Sequence, residues 1–422
     1  MTEQAVVEVA VPIAAPRRRS TLWIVFTTIL VDFIGFSVLL PVLPYYATKL
    51  GAGSVEVALI LSLYAAAQLI FLPAWGWLSD RIGRRPVILI SLSGTVASFV
   101  LLAFGQSLAI IYLARVLAGL FAASIGTAQA IANDVTTDAE RAQGMGLIGA
   151  AFGLGFVLGP PLGGLLSKID ERAPFYGICI LALANLVVAF FRLPESHPPP
   201  RERNWTGLGR TLVPSPLRLL FALHDGRIAR YLFLFLVLFT AFAALESMFT
   251  LFMDKRFGLE ISAASYVFAY IGLWIALTQG VLIRRLAPRL GETRLVVIGL
   301  IMTGAGLAVI SVVPSPGWLY LVTPVVAVGN GLAFPSFTSL YSKACTAEQA
   351  GELLGESQSM ATTGRILGPL WAGLAFGVDF GAPFVIAGFL MFVALGLFRL
   401  WRSTLLGQES EALAGTEARG GG

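Results

Sequence analysis

Residues 76–85 read Gly76-Trp77-Leu78-Ser79-Asp80-Arg81-Ile82-Gly83-Arg84-Arg85, a short charged patch between two apolar stretches, 55–77 and 86–105. Each stretch is about the twenty residues that a helix needs to cross hydrocarbon. Working outward, the same alternation of long apolar runs and short polar joints continues along the chain. Twelve apolar runs are read near 21–46, 55–77, 86–105, 107–132, 143–167, 174–193, 228–252, 262–283, 293–314, 316–341, 352–377 and 382–402. Of the 422 residues, 57% are hydrophobic and 13% charged. A soluble chain of this size carries about a quarter charged residues. Backbone groups cannot find water inside a bilayer, so helices are the expected solution.

The net charge of +5 could suggest nucleic acid, but the placement of the basic residues argues otherwise. Of 29 Lys and Arg, 22 fall at the N-terminus, in the joints after even-numbered spans and at the C-terminus. Lys49, Lys168, Arg172, Lys255 and Arg256 fall on the other side, and Arg115 and Arg365 lie inside spans. The positive-inside rule then places both termini in the cytoplasm, and no nucleic-acid partner is expected. The first run follows Arg17, Arg18 and Arg19 as a signal peptide would, but its length, Asp32 and two prolines mark a retained helix. Arginine outnumbers lysine 25 to 4, which fits a GC-rich bacterial genome, so a bacterial inner membrane is the expected location. Cys179 in span six and Cys345 on the cytoplasmic side are not expected to pair.

The polar stretch 194–227, with Pro198, Pro199 and Pro200, divides the spans six and six. The halves repeat. Gly51 and Gly258 lie 207 apart, Arg81 and Gly83 match Arg289 and Gly291 at 208, and Gly159-Pro160 matches Gly368-Pro369 at 209. The expected division is 1–20 a cytoplasmic segment, 21–193 a six-helix bundle, 194–227 a central loop, 228–405 a second six-helix bundle and 406–422 a disordered tail. Duplicated bundles with a site between them are a transporter architecture.

With this placement, the 76–85 loop resembles the signature loop of the major facilitator superfamily. Span five, with Gly149, Gly153, Gly155, Gly159-Pro160-Pro161 and Gly163-Gly164, resembles the glycine-proline motif of its drug:proton antiporter branch. Arg115 followed by Gly119 resembles that branch's fourth-helix motif. Val31-Asp32-Phe33-Ile34-Gly35, Pro41-Val42-Leu43-Pro44 and Leu193-Pro194-Glu195-Ser196-His197 are similar to segments of tetracycline exporters. The resemblance implies an all-α membrane fold, twelve helices in two pseudo-symmetric bundles, and proton-coupled export by alternating access. It further implies that Asp80 and Arg84, with Asp134, latch the outward-facing state, flanked in the motif by Gly76, Arg81, Gly83 and Arg85. Departures are equally legible. Ser98, Ile275 and Thr303 stand where tetracycline exporters carry an acid, a histidine and an acid, which argues against tetracycline as cargo. Pro288 stands in the second half where Asp80 stands in the first.

Charges at membrane depth cost about 2.5–3.5 kcal/mol on insertion scales and mark functional sites by default. Four are found: Asp32, Arg115, Glu246 and Arg365. Asp32 near Arg115 and Glu246 near Arg365 would be one pair per half, carrying proton coupling, because burial disfavours an ionised carboxyl and a nearby cation favours it. Static bridges are the plainer alternative. At an offset of 207 Asp32 corresponds to Phe239, and Glu246 seven residues on would share its face. The glycines and Pro160 of span five, namely Gly149, Gly153, Gly159, Gly163 and Gly164, are expected to let helices pack closely. Phe36, Phe242, Asn330 and Phe334 are candidates to line an apolar cavity.

Other signals fail. Gly144, Gly146 and Gly149 fit a dinucleotide fingerprint but follow no strand. There is no Gly-Lys dipeptide, hence no phosphate-binding loop of the ATPase type. Asn204-Trp205-Thr206 is a glycosylation pattern on the wrong side, and His197 and His224 lie in the central loop. No cofactor, metal site or enzymatic constellation is expected. The expected partners are a small-molecule substrate, protons and the bilayer, with no obligate protein partner and a monomeric chain. Proton-coupled uptake or uniport, a lipid flippase and a non-transporting sensor are the rival readings.

Overall fold

The computed structural model describes residues 15–137, 140–197, 226–344 and 350–401. Pro198–Pro200, Asn204-Trp205-Thr206, His224, Cys345, the expected tail and most of the expected N-terminal segment and central loop lie outside them. The described residues form a helical protein whose long elements are α1 (Ala15–Lys49), α2 (Ser54–Ile82), α3 (Arg84–Phe104), α4 (Leu108–Val135), α5 (Arg141–Ser167) and α6 (Ala173–Arg192). The second set is α7 (Gly226–Phe257), α8 (Ile261–Leu290), α9 (Glu292–Ile310), α10 (Pro316–Lys343), α11 (Ala350–Val378) and α12 (Ala382–Leu400). All except α11 are apolar and long enough to cross a membrane. α11 is as long, but Arg365 and a run of Ser, Thr and Gly dilute it. It packs between α2 and α7, so much of its surface meets protein. The chain is a multi-pass membrane protein.

The repeat is visible in the backbone. Among the described residues the glycines with positive φ are Gly51, Gly83, Gly258 and Gly291, the same two turns in each half. α6 and α12 both start Ala-Pro-Phe, with proline in the first turn, where its missing N–H costs nothing. α5 lies on α1 as α11 lies on α7. A Cβ on Gly159 would stand 2.8 Å from the Ile34 carbonyl oxygen, and one on Gly368 would stand 2.7 Å from that of Thr240. These matched contacts set the offset between α1 and α7 at 206, one less than the sequence reading used. Asp32 therefore corresponds to Leu238, and Glu246 lies eight residues on. Eight residues turn a helix about 80° past two full turns, so the two acids do not share one face.

Two helices depart from regularity. α4 breaks into Leu108–Leu120 and Ser124–Val135, joined by a turn at Phe121, Ala122 and Ala123. α8 carries a wider π turn at Thr278–Leu282.

The halves meet at the end opposite the 76–85 loop. Tyr45 Oη donates to Asp254 Oδ1 (3.3 Å) and to the Leu259 carbonyl (3.2 Å). Ser54 donates to the Gly373 carbonyl and Ser62 to that of Ile366, each at 2.8 Å, joining α2 to α11. Thr250 donates to the Leu40 carbonyl, and Gly164 abuts Ser262 and Ser265, joining α5 to α8. Toward the arginine-rich end the halves diverge. Gly146, Gly149 and Gly153 on α5 and Gly280 on α8 have no atom near enough to meet an added Cβ. At that end a cavity of about 490 Å³ is lined by Gln279, Phe334, Pro335, Thr338, Ser339 and Ser342.

Candidate functional site

The buried charges collect where α1, α2, α4, α7 and α11 approach one another. Asp32 on α1 is partly accessible, and its carboxylate accepts a hydrogen bond from Ser124, the first residue of the second segment of α4. Arg115, in the first segment, is 3% exposed, and its guanidinium lies 4.4 Å from the centre of the Tyr64 ring on α2. Its Nε has no hydrogen-bond partner. No ion pair joins Asp32 to Arg115 among the described residues. The expected pair is replaced by two neighbourly arrangements, a carboxylate on a hydroxyl and a guanidinium on an aromatic face. The physical reason is the break in α4, which turns Ser124 toward α1 and leaves Arg115 on the segment that faces α2.

In the second half, Arg365 on α11 stands 5.2 Å from the Phe239 ring, within electrostatic reach of Glu246 on α7. No ion pair closes between them either. Glu246 is partly accessible and Arg365 is exposed, although both lie well inside their helices. Tyr64 ties the halves together. Charges on Arg115, Asp32 and Arg365 all reach its hydroxyl, and the Ser62–Ile366 hydrogen bond holds its stretch of α2 beside Arg365. Tyr64 thus stands between the charges of the first half and Arg365 of the second, and Glu246 joins them through Arg365. No sequence signal singled Tyr64 out, because an aromatic residue in an apolar span is ordinary.

The aromatic candidates divide. Phe36 contacts Tyr64 and Phe156 at ring separations of 6.1 and 6.2 Å, beside Asp32. Phe334 meets Phe239 edge-on at 4.9 Å and lines the open cavity. Phe242 and Asn330 are partly buried on α7 and α10. Ser98 and Thr303, at the positions lacking the exporters' acids, carry buried hydroxyls with no hydrogen-bond partner.

The span-five motif also divides. Gly155, Gly159 and Gly163 face α1, with Pro160 buried beside them, and Gly164 faces α8. Gly149 and Gly153 do not pack, contrary to expectation, because they lie where the halves have separated.

The 76–85 loop forms a compact ion network within the first half. Arg84 Nη1 donates to Asp80 (2.5 Å) and Ser79 (3.1 Å), and its Nε to Asp134 (3.3 Å), which also accepts from Ser196 (3.1 Å). Glu195 caps α3, accepting from the backbone N–H groups of Arg84 (2.9 Å) and Arg85 (3.2 Å), where a helix N-terminus favours negative charge. Gly83 is required there twice: its φ is +99°, and a Cβ would stand 2.5 Å from Glu195 Oε2. Arg85 donates to the Phe190 carbonyl, Arg81 lies over Trp77, and Gly76 faces open space. The Asp80–Arg84–Asp134 network is complete while the halves stand apart at this end, so its formation does not itself mark a closed end. The second half answers with Glu292, which pairs with Lys343 (2.8 Å) and Ser339 (2.6 Å).

Comparison with known proteins agrees with this architecture. The model of the Major Facilitator Superfamily matches residues 25–369. The chain is 30% identical to Multidrug resistance protein 1 of Bacillus subtilis, over 92% of this chain and 97% of that one. It is 31% identical to the class B tetracycline resistance protein of Escherichia coli, over 81% and 84%. Among solved structures, the human organic anion transporter MFSD10 (TETRAN) superposes with a TM-score of 0.69 at 25% identity, covering 90% of this chain and 99% of that one. The nucleoside transporter NupG gives 0.75 at 16% identity, covering 90% and 99%, and supports the fold alone. The chain belongs to the Major Facilitator Superfamily.

Proposed function

We propose that this chain exports small amphipathic organic compounds in exchange for protons, by alternating access between its two six-helix halves. The observation that carries the reading is the group formed by Asp32, Tyr64, Arg115, Arg365 and Glu246: ionisable side chains from both halves, all but Arg115 partly reached by solvent, at the seam where the halves would rock. The tetracycline and multidrug resistance relatives support the same class of cargo. The arginine-rich end is the cytoplasmic one by the positive-inside rule, with both termini there and the chain in a bacterial inner membrane, acting as a monomer. The described conformation is then open to the cytoplasm and closed outside.

In this reading the two carboxyls exchange protons. Asp32 is held by Ser124 rather than by a cation, so a change in its solvent access changes its charge at little structural cost. Glu246 is tuned by Arg365, and a cargo that reaches either group shifts that balance. Arg115, stacked on Tyr64, supplies fixed positive charge in the first half. Phe36 and Phe334 offer apolar contact on either side, with Phe242 and Asn330 as further lining. An anionic amphiphile is a second reading of the cargo. It is favoured by Arg115 and Arg365 resting on aromatic rings with no carboxylate bound to either, and by the likeness to an organic anion transporter.

The test is flux into everted vesicles under an imposed pH gradient, across lipophilic cations, neutral drugs and organic acids. Gradient-driven uptake of at least one class is expected, and Asp32→Asn is expected to lower it by about tenfold or more, because an ionisable residue within a span is a functional site by default. Flux indifferent to the gradient for every class would overturn the proposal.

A further inference from the structure

The break in α4 is built. A helix interrupted inside a membrane frees backbone groups that must find other partners. Here Trp75 Nε1 donates to the Leu120 carbonyl at 2.6 Å, and Ser91 Oγ donates to the Phe121 carbonyl at 2.5 Å. Ser91 also accepts the Ala123 N–H at 3.2 Å. A Cβ on Gly94 would collide with the Phe121 side chain, so α3 has a recess for it. Two side chains, Trp75 of α2 and Ser91 of α3, with the recess at Gly94, therefore hold a turn that would otherwise be one more turn of helix.

What lies on either end of the second segment gives the break a use. Its first residue, Ser124, donates to Asp32. Its last turn carries Asp134, which holds Arg84 and Ser196 in the network at the arginine-rich end. Twelve residues of straight helix, Ser124–Val135, link them. A rigid rod with one end on an ionisable carboxyl and the other on an ion network, joined to the rest of α4 by a turn, is placed to couple the two.

We infer that the Ser124–Val135 segment is the lever that transmits the protonation of Asp32 to the Asp80–Arg84–Asp134 network, with Ser124 as its positioning residue and the Phe121–Ala123 turn as its hinge. The inference rests on Asp32 being a proton site. Ionised, Asp32 accepts a charge-assisted hydrogen bond from Ser124, which is about twice as strong as a neutral one. Protonated, it keeps only a neutral hydrogen bond to the hydroxyl, and the weakened hold lets the segment turn about 121–123. Asp134 then moves relative to Arg84, and the end of the first half that must meet the second half changes shape. The groups that face Asp32 are Ser124 of α4 and Tyr64 of α2, with Arg115 and Arg365 beyond Tyr64. α7 contributes Glu246, which is in reach of Arg365, and no charged side chain is paired with Asp32 among the described residues.

The test places spin labels at Asn133→Cys on the segment and Arg284→Cys on α8, with Cys179→Ser and Cys345→Ser, in lipid nanodiscs at acid and alkaline pH. The parent protein is expected to show a pH-dependent distance, and Asp32→Asn to abolish it. Ser124→Ala is expected to reduce the pH response, and the ratio of proton-driven to downhill flux, by about tenfold, the scale of one charge-assisted hydrogen bond. Ser124→Thr, which keeps a donor, is expected to restore both. Ser91→Ala loosens the hinge without touching Asp32 and is expected to lower the same ratio. A full pH response in both Ser124→Ala and Ser91→Ala, with Asp32→Asn unresponsive, would overturn the lever alone. A full response in Asp32→Asn would overturn the proton site beneath it.

Discussion

Glu195 shows how much a single side chain can organise without standing near the central charges. Besides the N–H groups of Arg84 and Arg85, it accepts those of Ser196 (3.1 Å) and His197 (3.0 Å), so the end of α6 and the start of α3 share one carboxylate. Loss of a helix cap costs about 0.5–2 kcal/mol, and hydrogen bonds to a charged group are at the strong end. Glu195→Ala is therefore expected to lower the thermal unfolding temperature in detergent, with Glu195→Gln intermediate because the amide still accepts but carries no charge. Equal unfolding temperatures for all three would refute the cap. In the sequence Glu195 is one letter of the Leu193–His197 string, since a glutamate at a helix end looks like any solvated charge. The same limit applies at the centre. Asp32, Arg115, Glu246 and Arg365 were legible because charge in an apolar span is rare. Their partners were not, because Ser124 and Tyr64 are unremarkable residue types whose meaning comes from which helix they face.

Helices were legible wherever hydropathy alone decides them, and α3, α6 and α9 needed nothing else. Irregularities were not, because the break in α4 depends on donors from Trp75 and Ser91 in other helices. The π turn of α8 bears on motion. Along α5 and α8 the contacts pair Gly164 with Ser265 and Phe156 with Gly272, so the next positions toward the arginine-rich end are Gly149 and Gly280. Both face open space, and the π turn at Thr278–Leu282 is where α8 leaves α5. Two bare glycines at matching heights are suited to meet when this end closes, since small residues allow backbones to approach. Gly149→Val is expected to be accommodated in the described conformation, where nothing lies within reach of a new Cβ, and to hinder closure. Transport should fall while expression and unfolding temperature stay near those of the parent. A variant that transports at the parental rate would show that α5 and α8 do not close on that glycine.

At the scale of the whole molecule, the duplicated halves make both openings variations on one interface, and the balance between them is a small difference of many contacts. The repeat was readable from glycines, and the structure explains why glycine marked it: Gly51, Gly83, Gly258 and Gly291 all need positive φ at equivalent turns. Its register was off by one at α1 and α7, because a single offset cannot follow two halves whose loops differ in length. Which end is closed was not readable at all, since one sequence serves both states. In the described conformation the polar closing contacts are specific, and the Tyr45 hydroxyl shares its one proton between Asp254 and the Leu259 carbonyl. One such shared hydrogen bond is worth about 0.5–1.5 kcal/mol net, so Tyr45→Phe should weaken the closed end by about that much, or roughly 2- to 12-fold in the ratio of the two states. Spin labels at Ile169→Cys and Ser315→Cys, exposed on loops of opposite halves at that end, would report the ratio directly. The parent is expected to populate mainly the short distance, and Tyr45→Phe to shift weight to the long one. Asp254→Asn should shift it less, because the amide oxygen still accepts from Tyr45. Identical distance distributions in parent and Tyr45→Phe would mean that closure rests on the α2–α11 and α5–α8 packing alone, with the tyrosine a bystander.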